Sequence, residues 1–409
     1  MDTSLSRRLE DLDVEGKVVL VRADLNVPMK DGVVGDKTRI TVVAPTIDYL
    51  SKHGAKVVVM SHFGRPGGKA DPALSLAPIA EPLGAVLSRP VTFVADCVGD
   101  AAQSIIAQMK DGDVALLENL RFHAGEEAND QEFAGELAAL GDLYVMDAFS
   151  CAHRAHASVE AIAHLLPGAP GNLMDQELIA LENVIENPKS PAAGIIGGAK
   201  VSTKLEVLGN LTARLDKILI GGAMANTFLA ATGVNVGASL CEHDMAETAQ
   251  AVLDKAQKAG CDIVLPVDAV VAKELAADIA TRTVAIGEVP EDSMILDIGP
   301  ESAGLFTERL GKCESLVWNG PLGAFETKPF DTGTNGVARA VAEMTKNGKL
   351  ISVAGGGDTV AALAHAGVIN DLIYVSTAGG AFLEFIEGKD LPGIIALKTA
   401  TKIPLPQGE

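Results

Sequence analysis

Cationic side chains follow several apolar, strand-like runs in the first half of the chain. The five arginines concerned, in the segments RADLN, TRI, SHFGRP, ENLRFH and AHRAH, are Arg22, Arg39, Arg65, Arg121 and Arg154. All but Arg39, which lies in a loop that leads into a helix, come at the carboxyl ends of predicted strands, where α/β sheets bind their ligands. Guanidinium groups pair bidentately with phosphate and carboxylate oxygens. A lone arginine would more often make a surface salt bridge, but this repeated placement predicts a pocket for a small, multiply charged anion.

Glycine-rich turns follow the predicted strands of the second half. GGAKVSTK (Gly197 to Lys204) precedes a helix-like run, and its lysines Lys200 and Lys204 could share one helix face. AGGGDT (Ala354 to Thr359), STAGGA (Ser376 to Ala381) and WNGPLGAFE (Trp318 to Glu326) repeat the arrangement. A glycine turn at a helix N-terminus offers backbone N–H groups to phosphate. One such turn is often only a connection, but several together with paired lysines predict a phosphate cradle.

A pocket for a polyanion in one half and a phosphate cradle in the other indicate phosphoryl transfer. This reaction needs positioning and charge neutralisation more than covalent chemistry. Asp358 of AGGGDT could hold a Mg²⁺ ion that bridges phosphates. No Ser–His–Asp set or carboxylate pair suggests a base, which favours an acceptor already ionised at pH 7, such as a carboxylate.

The segment HRAH (His153, Arg154 and His156) could in principle bind zinc, because histidines three apart can share a helix face. No cysteine pair or H-E-x-x-H motif accompanies it, and the arginine between the histidines would repel a cation. We therefore expect anion contacts or structural hydrogen bonds from these side chains.

Strand, glycine-rich turn and helix alternate along the whole chain. Most strand-like runs, for example Lys56 to Met60 and Ala192 to Ile196, are continuously apolar, which is typical of parallel strands covered on both faces by helices. A length of 409 residues favours two cores. The predicted fold class is α/β, with two doubly wound parallel-sheet (Rossmann-like) domains joined by an interdomain helix and hinge.

Proline and glycine in LLPGAPGN (Leu165 to Asn172) predict a linker, and the following Leu173 to Glu186 reads as one helix. We place the N-terminal domain at residues 1–170, the interdomain helix at 171–188, the C-terminal domain at 189–388 and a tail at 389–409. The tail lacks a full βα unit.

The motifs RADLNVP, SHFGRP, ENLRFH, AHRAHAS, GGAKVSTK, WNGPLGAFE and AGGGDT, in this order, closely resemble those of the phosphoglycerate kinase family. The resemblance spans essentially the whole chain. It implies reversible phosphoryl transfer between ATP and the carboxylate of 3-phosphoglycerate, giving 1,3-bisphosphoglycerate and ADP, with Mg²⁺ bound to the nucleotide. It also implies a monomer whose domains close about the interdomain helix, and a tail that returns to the N-terminal domain.

The resemblance also assigns residues. The N-terminal domain would bind the glycerate through Asp24, Leu25, Asn26, Arg39, His62, Phe63, Gly64, Arg65, Arg121 and Arg154. The C-terminal domain would bind the nucleotide through Lys200, Lys204, Gly299, Glu326, Gly356, Gly357, Asp358, Thr359, Gly379 and Gly380. Asp358 would face the metal and Glu326 the ribose. Arg39 and Lys200 would stabilise the phosphoryl group during transfer, whereas Arg22 would be a structural ion-pair partner.

Two positions depart from the family's pattern. Ala378 stands where STGGGA is usual, and it would be strained only if residue 378 requires a positive φ. Cys151 precedes AHRAH; a thiol near a basic patch could have a lowered pKa, although a small buried packing residue is the expected role.

Composition excludes several classes of partner. A net charge of −21 argues against nucleic acid and anionic membranes, and no apolar run approaches the roughly 18 residues of a membrane helix. Five separated cysteines without a C-x-x-C motif suggest reduced thiols and a cytoplasmic protein. A nicotinamide dehydrogenase would need G-x-G-x-x-G after an early strand, which GKVVLVRADLN lacks. A catalytically dead scaffold would be expected to have lost charged residues such as Arg39, Lys200, Lys204 and Asp358.

Overall fold

A computed structural model describes residues 5–30 and 32–405. These residues divide into two units. The first unit contains residues 5–178 and 390–405, and the second unit contains residues 179–389. Each unit has its own six-stranded parallel sheet with helices packed on it, which confirms the predicted fold class.

The first unit is built on strands whose apolar residues are buried on both faces. Its strands are β1 (Val18–Arg22), a small hairpin of β2 (Met29–Lys30) and β3 (Val33–Val34), then β4 (Lys56–Met60), β5 (Val91–Val94), β6 (Val114–Leu117), β7 (Leu143–Met146) and β8 (Gly168–Pro170). The parallel sheet has the order β5-β6-β4-β1-β7-β8. The direction in which strands are added reverses beside β1, so that the carboxyl ends of β1 and β7 border a switch point, where open α/β sheets bind ligands.

The helices of the first unit are α1 (Thr38–Lys52), α2 (Ala77–Leu87), α3 (Gly99–Ala107), α4 (Ala124–Glu127) and α5 (Gln131–Ala138), with α14 (Pro392–Ala400) from the end of the chain. Helix α6 (Asn172–Leu181) begins in the first unit and ends in the second. Helix α14 packs against the turn Ala161–His164, and the Gly393 N–H donates to the Ala152 carbonyl at 2.9 Å.

The second unit contains strands β9 (Ala192–Ile196), β10 (Lys217–Ile220), β11 (Asp262–Val264), β12 (Asp268–Ala272), β13 (Arg282–Ala285), β14 (Met294–Ile298), β15 (Ser315–Asn319), β16 (Ile351–Gly355) and β17 (Tyr374–Ser376). Its parallel sheet has the order β11-β10-β9-β15-β16-β17. Numbered along the chain, this order is 3-2-1-4-5-6, as in dinucleotide-binding folds, with the switch point between β9 and β15. Its helices are α7 (Leu205–Leu211), α8 (Gly222–Ala231), α9 (Ala246–Ala259), α10 (Pro300–Leu310), α11 (Thr332–Lys346), α12 (Gly357–His365) and α13 (Gly380–Ile386).

Three differences from the sequence-based expectations stand out. The run Met294 to Asp297 was expected in a parallel sheet, but β14 pairs antiparallel with β12 in a separate three-stranded sheet. The expected linker Leu165 to Asn172 contains β8, which pairs with β7. The long helix has two parts, since α6 is followed by a π-helical segment, Glu182–Glu186. No helix in the described ranges is both long and apolar enough to cross a membrane.

The N-terminus of α6 is held by two side chains of the first unit. Thr46 Oγ1 accepts from the N–H of Asn172 at 2.9 Å, and Asp147 Oδ1 accepts from those of Leu173 and Met174 at 2.9 and 3.1 Å. Burial raises the pKa of Asp147 to about 7, although these hydrogen bonds oppose the rise. The first turn of α6 is thus capped by a carboxyl group that resists ionisation.

This cap predicts a pH-dependent stability. The folded state holds the Asp147 proton more tightly than the unfolded chain does, so this group's contribution to stability is lost as the pH rises from about 4 to about 7. Asp147→Asn carries no charge and keeps an oxygen for the α6 amides. We expect its Tm to exceed that of the wild type by a few degrees at about pH 8 and to match it at or below about pH 4, as measured by calorimetry. Equal destabilisation at both pH values would contradict this role.

Candidate functional site

Asp24 and Ser150 meet at the switch point of the first sheet. Asp24 follows β1, Ser150 follows β7, and the Ser150 hydroxyl donates to Asp24 Oδ2 at 2.6 Å. Arg39, in the first turn of α1, forms an ion pair with the same oxygen, and its side chain remains 36% exposed. Although burial opposes ionisation of Asp24, Arg39 and His62 hold its pKa below the usual value. The ionised carboxylate therefore fixes Arg39 while leaving part of the guanidinium accessible.

The loop after β4 is held by side chains from two neighbouring loops. Gly64 has a positive φ of 60°; its N–H donates to Asn26 Oδ1 at 3.1 Å, and its carbonyl accepts from Arg121 at 2.7 Å. Asn119, which is fully buried, accepts from the Phe63 N–H at 3.1 Å and donates to the Phe63 carbonyl at 2.7 Å. These hydrogen bonds fix the backbone just before Arg65 and therefore fix the position from which its exposed side chain extends.

Arg65 is exposed, and in the described part of the chain it forms no ion pair or side-chain hydrogen bond. Arg154 is half-buried, and its Nε donates to the neighbouring His153 at 3.2 Å. Arg121 is 4% exposed and pairs with Glu127 at 3.2 Å. The three arginines therefore differ in how far protein groups already occupy their guanidinium groups. Arg65 is available to a ligand, whereas the charge of Arg121 is partly neutralised by Glu127.

The basic side chains influence one another electrostatically. Burial lowers the pKa of His156 to about 4, helped by Arg121, Arg22 and Arg154. Burial and Arg22 also hold the pKa of His62 well below its ordinary value. Both imidazoles are therefore neutral at pH 7, and the cluster has a positive potential that suits an anion.

Two of the predicted substrate-binding residues have buried side chains and act through backbone hydrogen bonds. The side chain of Leu25 is fully buried, its N–H donates to Ser61 at 2.9 Å, and its carbonyl accepts from Val27. Phe63 is likewise buried, with its backbone bonded to Asn119. Both residues support the loops that carry Asp24 and Arg65.

Arg22 and Cys151 are buried behind this cluster. Arg22 is 1% exposed, donates to Ser158 at 2.8 Å and lies 3.9 Å from a Glu126 oxygen, so its role is structural. Burial raises the pKa of the Cys151 thiol, even though Arg22 opposes the rise. Cys151 is thus a packing residue without the lowered pKa of a reactive thiol.

Three glycine-containing turns pack closely against one another at the switch point of the second sheet. A Cβ atom on Gly197 would lie 1.9 Å from the carbonyl oxygen of Pro321, and one on Gly222 would lie 2.6 Å from that of Gly198. Only glycine permits this approach. The turns after β9, β10 and β15 are therefore close enough for their backbones to line one cavity.

This phosphate-side cavity has a volume of about 310 Å³ and is lined by Gly197 to Lys200, Thr203, Lys204, Asn319, Gly320, Gly356 to Thr359 and Leu383. Lys204 is half-buried, and its ammonium donates to Asn319 Oδ1. Lys200 is exposed, and in the described residues its ammonium has no hydrogen bond or ion pair. The expectation that both lysines share a helix face is wrong, because α7 begins only at Leu205.

The turn after β16 supplies the other wall of this cavity. Gly356 has a positive φ of 95° and precedes α12, so the N–H groups of Gly357 and Asp358 belong to the unpaired first turn of that helix. Asp358 is exposed. The Thr359 hydroxyl is buried, donates to Gly355 at 2.8 Å and accepts from Gly320 at 2.7 Å, which joins two turns. This geometry suits phosphate oxygens and a cation beside them.

A second, more apolar cavity of about 290 Å³ adjoins the first. Both cavities are lined by Gly198, Ala199 and Asp358. Glu326 also lines the second cavity, as do residues of α8, of β14 and of the loops around Leu240 and Leu275. We call this space the nucleoside-side cavity, because an apolar pocket that continues from a phosphate cradle matches the shape of a nucleotide.

The remaining predicted glycines lie outside both cavity linings. A Cβ on Gly299 would fall 2.2 Å from Asp268 Oδ2, so packing against this carboxylate explains the glycine. Gly379 has a positive φ of 55° and precedes α13, which begins at Gly380. Ala378 is not among the described residues with positive φ, so this departure from the family's pattern introduces no backbone strain.

Among the described residues, one group of three side chains has the spacing of metal ligands: Asp96, Cys97 and His123. His123 Nε2 and Asp96 Oδ1 form a hydrogen bond of 2.8 Å, and the buried Cys97 thiol donates to the Glu118 carbonyl at 2.8 Å. Neither histidine of HRAH belongs to this group.

Sequence reasoning missed Ser150, Asn119 and Asn319. Ser150 lies beside AHRAH, whereas Asn119 and Asn319 lie within ENLRFH and WNGPLGAFE, so each had a signal that could have been used. Asn226, Leu240 and Leu275 of the nucleoside-side cavity had none, because isolated residues of helices and loops have no spacing that marks a pocket.

Comparisons with known proteins all point to one family. The family model "Phosphoglycerate kinase" matches residues 9–389. The phosphoglycerate kinase of Granulibacter bethesdensis is 59% identical over 392 residues, which are 96% of this chain and 99% of that protein. The phosphoglycerate kinase of Rhizobium meliloti is 58% identical over 393 residues, which are 96% of this chain and 98% of that protein.

Solved structures give the same result. The phosphoglycerate kinase structure from Coxiella burnetii has a TM-score of 0.91 at 40% identity, over 97% of this chain and 100% of that one. The phosphoglycerate kinase structure from Pyrococcus horikoshii has a TM-score of 0.78 at 34% identity, over 96% of this chain and 98% of that one.

Proposed function

Because the chain belongs to the phosphoglycerate kinase family, we propose that its two sites carry out phosphoryl transfer between ATP and the carboxylate of 3-phosphoglycerate. The chain is a phosphotransferase with a carboxyl group as acceptor, and its reversible reaction, which gives 1,3-bisphosphoglycerate and ADP, belongs to glycolysis and gluconeogenesis. The observation that carries the assignment of sites is the pair of adjoining cavities in the second unit. They provide a lysine- and glycine-lined cradle that continues into an apolar pocket.

The first unit binds 3-phosphoglycerate at the switch point of its sheet. Arg65, Arg121 and Arg154 hold the anion, with help from the neutral His62 and the polar groups of Asp24 and Asn26. The positive potential of this cluster in a strongly acidic chain supports the assignment. Leu25, Phe63 and Gly64 act by fixing the loops.

The second unit binds the nucleotide across its two cavities. The phosphates lie against Lys200, Lys204 and the first turn of α12, and the nucleoside lies in the adjoining cavity with its ribose near Glu326. The contiguity of the cavities at Gly198, Ala199 and Asp358 supports this orientation. Gly299, Gly379 and Gly380 shape the surrounding turns.

Mg²⁺ is the expected partner of the nucleotide, and Asp358 fits it. Asp358 is exposed and lines both cavities, and Mg²⁺ prefers carboxylate and phosphate oxygens. When bound, the ion neutralises phosphate charge.

Transfer requires the acceptor carboxylate and the terminal phosphate to meet in a space from which water is excluded. We propose that the two units close about the interdomain helix when both substrates are bound. Arg39 and Lys200 then contact the phosphoryl group and stabilise its charge in the transition state. The acceptor carboxylate is already ionised, so no base is needed.

A coupled assay tests the function. ATP, Mg²⁺ and 3-phosphoglycerate are added to the purified protein, and an added dehydrogenase reports 1,3-bisphosphoglycerate as oxidation of NADH. We expect turnover that depends on all three additions. No turnover from correctly folded protein would reject the assignment.

Arg65→Ala should weaken glycerate binding. Loss of a charge-assisted contact from this exposed arginine should raise KM for 3-phosphoglycerate about 10- to 100-fold and leave KM for ATP unchanged. Arg8→Ala is the matched control, because Arg8 is an exposed arginine of the same unit whose partner is the surface carboxylate Asp175. An unaltered KM for 3-phosphoglycerate would remove Arg65 from the pocket.

Asp358→Asn should raise the Mg²⁺ concentration needed for half-maximal rate by about 10-fold or more, because an amide is a weaker ligand for a hard cation than a carboxylate. Glu301→Gln, at the equivalent exposed first turn of α10, is the control. A Mg²⁺ dependence like that of the wild type would exclude Asp358 as the metal ligand.

We also propose a cytoplasmic protein without nucleic-acid or membrane partners. All five cysteines are free thiols, which supports a reducing compartment. A monomeric state stays a prediction from the family resemblance, testable by sedimentation.

A further inference from the structure

Three side chains that can bind a metal converge at the outer edge of the first sheet. Asp96 and Cys97 follow β5, and His123 follows β6 and the short turn Leu120–Phe122. Because β5 and β6 are neighbouring parallel strands, the two loops meet beyond their carboxyl ends. We call these three side chains the edge cluster. None of them has a part in the proposed function.

The ligand atoms of the edge cluster already lie close to the spacing of a metal site. One atom from each side chain lies within 4.8 Å of the other two, and His123 Nε2 is 2.8 Å from Asp96 Oδ1. Around a tetrahedral zinc ion, oxygen, nitrogen and sulfur ligands lie about 3.4 to 3.6 Å from one another. Shifts of about an ångström therefore suffice to bring the three atoms into coordination with one ion.

The surrounding structure holds the edge cluster in place. The ring of His123 stacks on that of Phe133, with centroids 4.9 Å apart and an angle of 22° between the planes. The Cys97 N–H donates to Asp96 Oδ1 at 2.6 Å, and the Cys97 thiol donates to the Glu118 carbonyl at 2.8 Å. Since the side chains are already ordered, binding of an ion costs little further conformational entropy.

Burial and charge at the sulfur favour a bound cation over a free thiolate. Cys97 is fully buried, whereas the side chains of His123 and Asp96 are 31% and 49% exposed, so an ion can enter from their side. Burial raises the pKa of the thiol well above its ordinary value, and three carboxylates, those of Asp96, Glu118 and Glu126, raise it further. The same negative charge attracts a metal ion, which deprotonates a thiol that coordinates it.

The types of ligand indicate which ion fits the edge cluster. A thiolate sulfur, an imidazole nitrogen and a carboxylate oxygen are ligands of Zn²⁺, whereas Mg²⁺ takes oxygen ligands in octahedral geometry. Three protein ligands leave one position of a tetrahedral ion open, and water can fill it on the exposed side of the cluster.

We propose that Asp96, Cys97 and His123 bind one Zn²⁺ ion, which joins the loops after β5 and β6. On binding, the Cys97 thiol gives its proton to water and its sulfur coordinates the ion. The imidazole coordinates through Nε2 and keeps its proton on Nδ1, so that two bonds to the ion replace the hydrogen bond between His123 and Asp96. The site is structural, and it does not depend on the proposed function.

Co²⁺ is the probe, because it occupies zinc sites and gives a charge-transfer absorption when a thiolate is among its ligands. The whole chain is freed of metal with a chelator and titrated with Co²⁺ in the absence of nucleotide. We expect a charge-transfer band that saturates at about one ion per chain, with a Kd of about 10 μM or lower. An equal amount of Zn²⁺ should abolish the band, and Mg²⁺ in about 1,000-fold excess should not.

Variants locate the ion. Cys97→Ser and His123→Gln should each weaken Co²⁺ binding by about 100-fold or more, and Cys97→Ser should also remove the charge-transfer band. Cys241→Ser is the matched control, because Cys241 Sγ also lies near a histidine, 3.7 Å from His243 Nδ1, but this pair belongs to no group of three ligands among the described residues. It should bind Co²⁺ as the wild type does, and circular dichroism checks that each variant is folded.

Zinc should also stabilise the protein. At about 100 times its Kd, Zn²⁺ should raise the Tm of the wild type and of Cys241→Ser by a few degrees, and it should leave the Tm of Cys97→Ser unchanged.

Two results would overturn the proposal. The first is a wild-type protein that shows no charge-transfer band with Co²⁺ at up to about 1 mM, a measurement that needs no variant to fold. The second is a band that Cys97→Ser keeps or that Cys241→Ser loses, which would place the ion at another cysteine.

Discussion

Lys200→Ala is expected to lower kcat by about 10²- to 10³-fold while changing KM for ATP only slightly. Lys200 borders the phosphate-side cavity, is exposed, and within the described residues its ammonium has no ion pair or hydrogen bond. An ammonium that no ion pair or hydrogen bond fixes among the described residues can follow the phosphoryl group when negative charge redistributes in the transition state. Steady-state kinetics with both substrates varied separate kcat from KM.

Lys204→Ala supplies the contrast. Lys204 is half-buried and held by Asn319, so it should act mainly on the bound nucleotide, and its loss should raise KM for ATP. Lys273→Ala, an exposed lysine paired with Asp292 at 3.0 Å, should behave like the wild type. If Lys200→Ala turned over at the wild-type rate, Lys200 would have no role in transfer.

Arg39→Ala is expected to reduce kcat by a similar factor of about 10² or more, with a smaller effect on KM for 3-phosphoglycerate. Arg39 is anchored by the ionised Asp24, which is itself held by Ser150, and part of its guanidinium remains exposed. Pre-positioned in this way, the group stabilises transition-state charge without reorganising. Steady-state rates at saturating ATP give the two constants.

Two comparisons separate charge from geometry. Arg39→Lys keeps the charge but not the planar fork, so it should recover only part of the rate. Added guanidinium should partly rescue Arg39→Ala and leave Arg39→Lys unaffected. A variant with normal kcat and a raised KM for 3-phosphoglycerate would make Arg39 a ground-state ligand instead.

Much of the fold could be predicted because buried parallel strands have a strong signature. Runs such as Val114 to Leu117 and Leu143 to Met146 are strands with the same bounds in the structure. The antiparallel strands β12 and β13 were missed, since DAVVA and RTVA are short and carry no turn signal of a hairpin. Apolarity alone also could not reveal that β14 pairs antiparallel, because burial on both faces does not depend on strand direction.

Some residues of the candidate site could also be predicted from the sequence, and others could not. Arg39 and Asp358 lie at strand-to-helix turns, where chemistry and position coincide in the sequence. The spacing of Lys200 and Lys204 wrongly predicted a shared helix face, because α7 begins only at Leu205. The turn before it packs against Pro321 and bonds to Asn319, which are distant in the sequence. The convergence of the edge cluster is likewise a tertiary property that no local pattern encodes.

The acceptor atom is the most direct test of the central claim that a phosphoryl group moves from ATP to a carboxylate. The protein is incubated with ATP, Mg²⁺ and 3-phosphoglycerate in the presence of hydroxylamine, which converts acyl phosphates to hydroxamates. The proposed chemistry predicts a 3-phosphoglycerate hydroxamate that forms in step with ADP and that forms about 10²- to 10³-fold more slowly with Lys200→Ala. ADP formation with inorganic phosphate and no hydroxamate, or a phosphorylated product that resists hydroxylamine, would contradict it.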